Sequence, residues 1–119
     1  MSKSIYDQHD AAFSNVSAYV VMKGAERVAT IAFKYPRDGA SRLYVYVHYF
    51  GQEMVRGHAN GYGYGYDKRS AAIANAGNKI TTGDDASAVA FAAALRDGDN
   101  GLGWERALNG SGFTVLQAV

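Results

Sequence analysis

The stretch that most limits what this chain can fold into is LYVYVHYF, residues 43–50, where apolar and amphipathic side chains alternate one by one before a glycine. Alternation with a period of two belongs to a strand, which sends successive side chains to opposite faces. Leu43, Val45, Val47 and Tyr49 then form one face, and Arg42, Tyr44, Tyr46, His48 and Phe50 the other. The first set is fit for a core. The second is a row of rings and cations, the material of an aromatic interface or a base-stacking platform if left open. The alternative is that a helix covers this row or that its rings shield the sheet. Gly51-Gln52 reads as a two-residue hairpin turn into a partner strand over 53–59, with Met54, Arg56 and His58 on one face.

Upstream, residues 16–22 are apolar and β-branched, Lys23-Gly24-Ala25-Glu26 is a turn, and residues 27–35 alternate again. Ala29, Ile31, Phe33 and Tyr35 share one side of that second run, and Val28, Thr30, Ala32 and Lys34 the other. Pro36 ends it for want of an N–H, and Arg37-Asp38-Gly39-Ala40 turns the chain toward Arg42. The expectation is a four-strand meander, preceded by a short helix over 6–13.

Downstream the period changes. Asp67 is placed to cap a helix over 68–79 with Ile73, Ala76, Gly77 and Ile80 on one side. Asp84 or Asp85 caps a second helix, whose Ala88, Phe91, Ala92 and Leu95 make one apolar stripe ending at Asp97-Gly98. A short segment over 102–108 carries the single Trp, and Gly110-Ser111-Gly112 releases a last strand over 113–119. The reading is one α+β domain over residues 1–119, an antiparallel sheet of four to five strands with helices packed on one face.

Several chemistries are excluded by what the chain lacks. It has no cysteine, hence no disulfide, thiolate metal site or cysteine nucleophile. No apolar run reaches membrane-spanning length, and MSKSIYDQHD lacks the apolar segment of a signal peptide, so the expectation is a chain that stays inside the cell without a membrane partner. His9, His48 and His58 come with no helical two-His motif, no nucleophile elbow surrounds any Ser, and no catalytic residue, metal or cofactor is assigned. The loop GYGYGY, residues 61–66, offers backbone N–H groups ahead of a helix, but it matches neither nucleotide-binding glycine pattern, and Asp67 would repel a phosphate there. Charge is uneven: residues 1–83 hold ten Lys and Arg against six Asp and Glu, a balance of +4, and residues 84–119 hold two against five, a balance of −3. That is a modest basic bias, well below the density of a dedicated nucleic-acid binder.

Two resemblances bear on function. The order of helix, strands, Gly-rich loop and then Lys68-Arg69-Ser70-Ala71-Ala72 at a helix start resembles the C-terminal half of a double-stranded RNA-binding domain. That likeness implies phosphate contacts for Lys68 and Arg69. The chain departs from the module in Asp67 beside the pair and in the acidic segment that follows. The segments Met54-Val55-Arg56-Gly57-His58-Ala59 and Gly63-Tyr64-Gly65-Tyr66-Asp67-Lys68 resemble segments of small accessory proteins of phages and other mobile elements, among them anti-CRISPR proteins. This likeness implies an inhibitor that binds a defence complex stoichiometrically in the cytoplasm of a bacterial host.

The combined expectation is a non-enzymatic interaction protein. Its partner surface comprises Arg42, Tyr44, Tyr46, His48, Arg56 and His58, with Tyr62, Tyr64 and Tyr66 as an adaptable rim and Lys68 and Arg69 steering toward acidic or phosphate surfaces. The partner is a protein or nucleoprotein. Two alternatives stay open: nucleic-acid binding, with the rings on bases and the cations on phosphates, and a homodimer formed through the aromatic face or the final strand.

Overall fold

The computed structural model describes residues 13–36, 43–59, 66–97 and 103–118. Five strands, β1 (Phe13–Lys23), β2 (Glu26–Pro36), β3 (Leu43–Tyr49), β4 (Val55–Ala59) and β5 (Thr114–Gln117), form one antiparallel sheet in the order β4-β3-β2-β1-β5. Three helices, α1 (Tyr66–Gly77), α2 (Ala86–Asp97) and α3 (Trp104–Gly110), pack on one of its faces. The first four strands are the expected meander. The last returns to pair with the first, placing Val20 opposite Leu116 and Val21 opposite Val115.

Alternation decides which side of the sheet meets the helices. Tyr19, Val21, Ala29, Ile31, Phe33, Leu43, Val45, Val47 and Tyr49 enter a single core with Ala72, Ile73, Ala76, Phe91, Leu95, Trp104 and Leu108. The face foreseen for the third strand is the one that is buried there. Trp104 is the central plug, edge-on to Tyr19 at 4.9 Å and tilted against Phe33 at 5.9 Å. Phe91 lies 5.0 Å from Tyr49 and 5.8 Å from Phe113, so α2 reaches the sheet and the entry to β5 together.

The helix layer sits unusually close. A Cβ on Gly57 would lie 2.2 Å from the Ala72 carbonyl oxygen and 2.6 Å from the Ala76 nitrogen, so the α1 backbone rests almost directly on β4. Gly77 serves α2 in the same way, with a Cβ there only 2.9 Å from that of Leu95. Alanines complete the contact: Ala72, Ala76, Ala88 and Ala92 are all fully buried. At the start of α2 the Asp85 carboxylate accepts hydrogen bonds from the Ser87 and Ala88 N–H groups at 3.0 and 3.1 Å, which settles the cap on Asp85 instead of Asp84.

Some boundaries differ from the sequence reading. The turn after β3 is centred on Phe50-Gly51, not Gly51-Gln52, because the Gln52 N–H donates to the Tyr49 carbonyl at 3.1 Å and Gly51 adopts φ 95°. Pairing resumes only at Val47 opposite Val55, so β4 starts two residues later than expected. Tyr66 opens α1, which makes Asp67 its second residue; the helix ends at Gly77, before Lys79. The segment with Trp104 runs to Gly110 and the last strand is shorter than 113–119. Of the helix expected over 6–13, residues 6–12 lie outside the described residues, and Phe13 opens β1.

Because backbone atoms, not a flexible side chain, face Gly57, a methyl group there has nowhere to go. Gly57→Ala is expected to cost at least about 3 kcal/mol of stability, read as a lowered urea midpoint. Asp85→Ala, which removes only a cap, is expected to cost about 1 kcal/mol in the same experiment.

Candidate functional site

The sheet face turned away from the helices carries the row of side chains singled out above. The register sets His58 opposite Tyr44 and Arg56 opposite Tyr46, with Lys34 beside Tyr44 on β2 and Ala32 beside Tyr46. These are directly opposed positions on one face, where side chains meet. The Arg56 guanidinium lies over the Tyr44 ring, 4.9 Å from its centroid, and it hydrogen-bonds the Tyr46 hydroxyl. His58 packs on Tyr44 at 5.8 Å between ring centroids, and the Lys34 ammonium stands 5.8 Å from the Tyr46 ring.

Exposure divides this cluster. Tyr44 and Tyr46 retain only 8 % and 5 % of their surface, and Lys34 none. Their rings therefore do not offer the open flat faces that stacking on a base requires, and of the two alternatives left open for this row it is the covered one that the structure has. Arg56 and His58 are exposed, His48 is half-buried, and Phe50 is exposed with its ring 5.2 Å from His48. The solvent-facing part of the site is thus a rim along β4 and the end of β3, and the two tyrosines form its floor. A guanidinium stacked on a ring and hydrogen-bonded to a hydroxyl is restrained in its orientation.

Burial pushes the Tyr46 hydroxyl above its ordinary pKa of 10.0, more strongly than the hydrogen bond and charge of Arg56 pull it down. Tyr49, on the opposite face, is raised too, by burial first and then by the charge of Asp85, against a hydrogen bond with Ser87.

The edge at β4 is closed by α1 and the turn that follows it. The Lys79 ammonium donates to the Arg56 carbonyl at 2.6 Å, and the Asn75 side chain accepts from the His58 N–H at 3.4 Å. Two of the groups that an added strand would bond are thereby occupied, a common way of blunting an edge. Next to it the Gln52 amide brackets Thr81, donating to its carbonyl and accepting from its N–H at 3.0 Å. This ties the β3–β4 turn to the α1–α2 turn. A cleft of about 340 Å³ opens between them, lined by Gln52, Glu53, Met54, Val55, Lys79 and Thr81.

Not all of the expected residues gather here. Arg69 lies on the other side of the sheet, half-buried with its guanidinium 5.3 Å from the Phe33 ring, so it does not join Arg56 in one basic surface. Arg42, Tyr62 and Tyr64 lie outside the described residues, and Tyr66 and Lys68 are placed only as the first turn of α1. His58 sits opposite Tyr44, four positions along the strand from His48, and among the described residues no three His, Cys, Asp or Glu side chains gather in a way that could hold a metal. No helix of the described residues is long and apolar enough to cross a membrane. Sequence reading overlooked Lys34, Gln52, Asn75 and Lys79. A lysine in an apolar alternating strand was the one visible signal, whereas the others matter only through contacts distant in sequence.

A hydroxyl whose pKa is raised by folding stabilises the folded state fully below its unfolded value and loses that contribution as pH climbs through the folded one. Stability is therefore expected to fall above about pH 10, and Tyr46→Phe with Tyr49→Phe is expected to flatten that fall, as measured by urea unfolding across alkaline pH. In comparisons with known proteins, the chain matches no family model, no curated protein and no solved structure.

Proposed function

We propose that this chain is a non-enzymatic interaction protein that docks the Arg56 rim of its sheet onto a protein or nucleoprotein partner. One observation carries the reading: Arg56 is exposed at its head yet fixed from beneath by the Tyr44 ring and the Tyr46 hydroxyl. A long cationic side chain normally loses rotamer freedom on binding, and one already held loses less. Arginine beside aromatic groups is also the composition typical of interface hot spots. His58, His48 and Phe50 extend the contact along the edge. The resemblance of residues 54–59 and 63–68 to phage accessory proteins supplies the biological side of the proposal, an inhibitor of a host defence complex acting in the bacterial cytoplasm.

Direct nucleic-acid binding is the competing reading. The burial of Tyr44 and Tyr46 weakens it, since stacking on bases needs open ring faces.

The test is a pull-down of tagged protein from lysate of a bacterial host, with and without nuclease, comparing wild type with Arg56→Ala. Because Arg56 is exposed, the variant is expected to keep its fold. Capture of a defined complex is expected to survive nuclease and to weaken at least about tenfold in Arg56→Ala. Equal capture by the variant, or recovery that collapses on nuclease treatment, would sink the proposal.

A further inference from the structure

We infer that the partner presents an acidic protein segment, with an Asp or Glu carboxylate seated on the Arg56 guanidinium; this inference rests on the docking reading above. Charge on the face supports it. The described side chains pointing away from the helices are Ala18, Val20 and Met22 on β1, Arg27, Thr30, Ala32 and Lys34 on β2, Tyr44, Tyr46 and His48 on β3, Arg56 and His58 on β4, and Thr114 and Leu116 on β5. None is acidic. Arg27 and Arg56 carry positive charge, and Lys79 adds another where it bonds the Arg56 carbonyl at the edge. A partner that brings a negative group meets attraction across the whole patch, and one that brings a cation meets repulsion.

Geometry narrows the anion. A guanidinium has five N–H donors, so one hydrogen bond to the Tyr46 hydroxyl leaves enough of them for a carboxylate to be taken through two parallel bonds. A nucleic-acid backbone would supply a phosphate to the same fork, but it would also need a track of cations and open rings for its bases. The described face offers two exposed arginines, Arg27 and Arg56, on the non-adjacent strands β2 and β4, and tyrosines that are 8 % and 5 % exposed. Apolar surface suited to the side chains of a peptide is offered instead by the half-buried Met54, two residues before Arg56, and by the exposed Phe50 ring beside His48 at the end of β3.

The probe is a hexaglutamate peptide added to the full ¹⁵N-labelled chain and followed by two-dimensional NMR, with an oligothymidine strand and a hexaglutamine peptide in parallel. The Arg56 side chain and the His58 amide are expected to shift saturably with hexaglutamate and not with hexaglutamine. Arg56→Gln, whose own spectrum reports whether it is folded, is expected to weaken that binding roughly tenfold or more. The inference is overturned if hexaglutamate moves neither group, if Arg56→Gln binds it as well as wild type, or if oligothymidine binds at Arg56 more tightly than the peptide. Failure here with an Arg56-dependent partner still captured in the pull-down leaves the docking reading standing and removes only the acidic partner; loss of that dependence removes the docking reading itself.

Discussion

The absence of one side chain, at Gly57, governs how this molecule is assembled. Helix α1 can lie on the edge strand β4 only because no Cβ stands between them, and the contact is backbone against backbone at Ala72 and Ala76. Several features follow from that seat. It brings Asn75 within reach of the His58 N–H and sets Lys79, just past the helix, beside the Arg56 carbonyl, so the helix that covers the core also closes the edge. It sets the height at which α2 must pack, which Gly77 then permits against Leu95. Small residues in the helix layer are thus matched to a large aromatic in the core, where Trp104 fills the space between Tyr19 and Phe33 that the short side chains leave open.

The same edge strand orients the site. Since Gly57 points toward the helices, Arg56 and His58 on either side of it must point away, and antiparallel pairing delivers them onto Tyr46 and Tyr44. Position and pre-organisation therefore have a common origin. The buried tyrosines do two things for Arg56: a ring attracts the guanidinium through its electron-rich face, and a hydroxyl accepts one of its hydrogen bonds. Burial keeps Tyr46 protonated to higher pH than usual, so at neutral pH it is a hydrogen-bonding hydroxyl and not a counter-charge that would neutralise the arginine. The charge at the rim is therefore not cancelled from beneath.

Much of this arrangement was legible along the chain and some of it was not, for identifiable reasons. Alternation at Leu43, Val45, Val47 and Tyr49 named the core face correctly because period two depends on local geometry alone. The stripe Ala88, Phe91, Ala92 and Leu95 named the buried side of α2 for the matching reason at helical period, and all four are buried. The pairing of Arg56 with Tyr46 and of His58 with Tyr44 was anticipated in outline, although the turn was misplaced: Phe50-Gly51 and Gly51-Gln52 both put a permissive glycine in a tight turn, and the hydrogen bond from Gln52 to Tyr49 is what separates them. The burial of Tyr44 and Tyr46 was not legible. Periodicity states which face a residue takes, and nothing in it states how much solvent reaches that face. The importance of Gly57 was hidden for a similar reason, since a glycine in a strand signals a bulge, a bend or a close approach with equal force until its neighbour is known.

Burying Lys34 fully beside two tyrosines has a consequence for how the face can evolve or be altered. A lysine taken out of water must keep favourable surroundings, and the Tyr46 ring 5.8 Å from its ammonium is part of them. Arg56 draws on the same pair of rings from the neighbouring strand, so the two cations share a floor and are coupled through it. Removing Tyr46 would disturb the buried Lys34 and the exposed Arg56 together, whereas removing Arg56 disturbs only the exposed head. If the proposed docking holds, stability and recognition are joined at the tyrosines and separable at Arg56, the residue where a change would alter binding while the sheet beneath it stays intact.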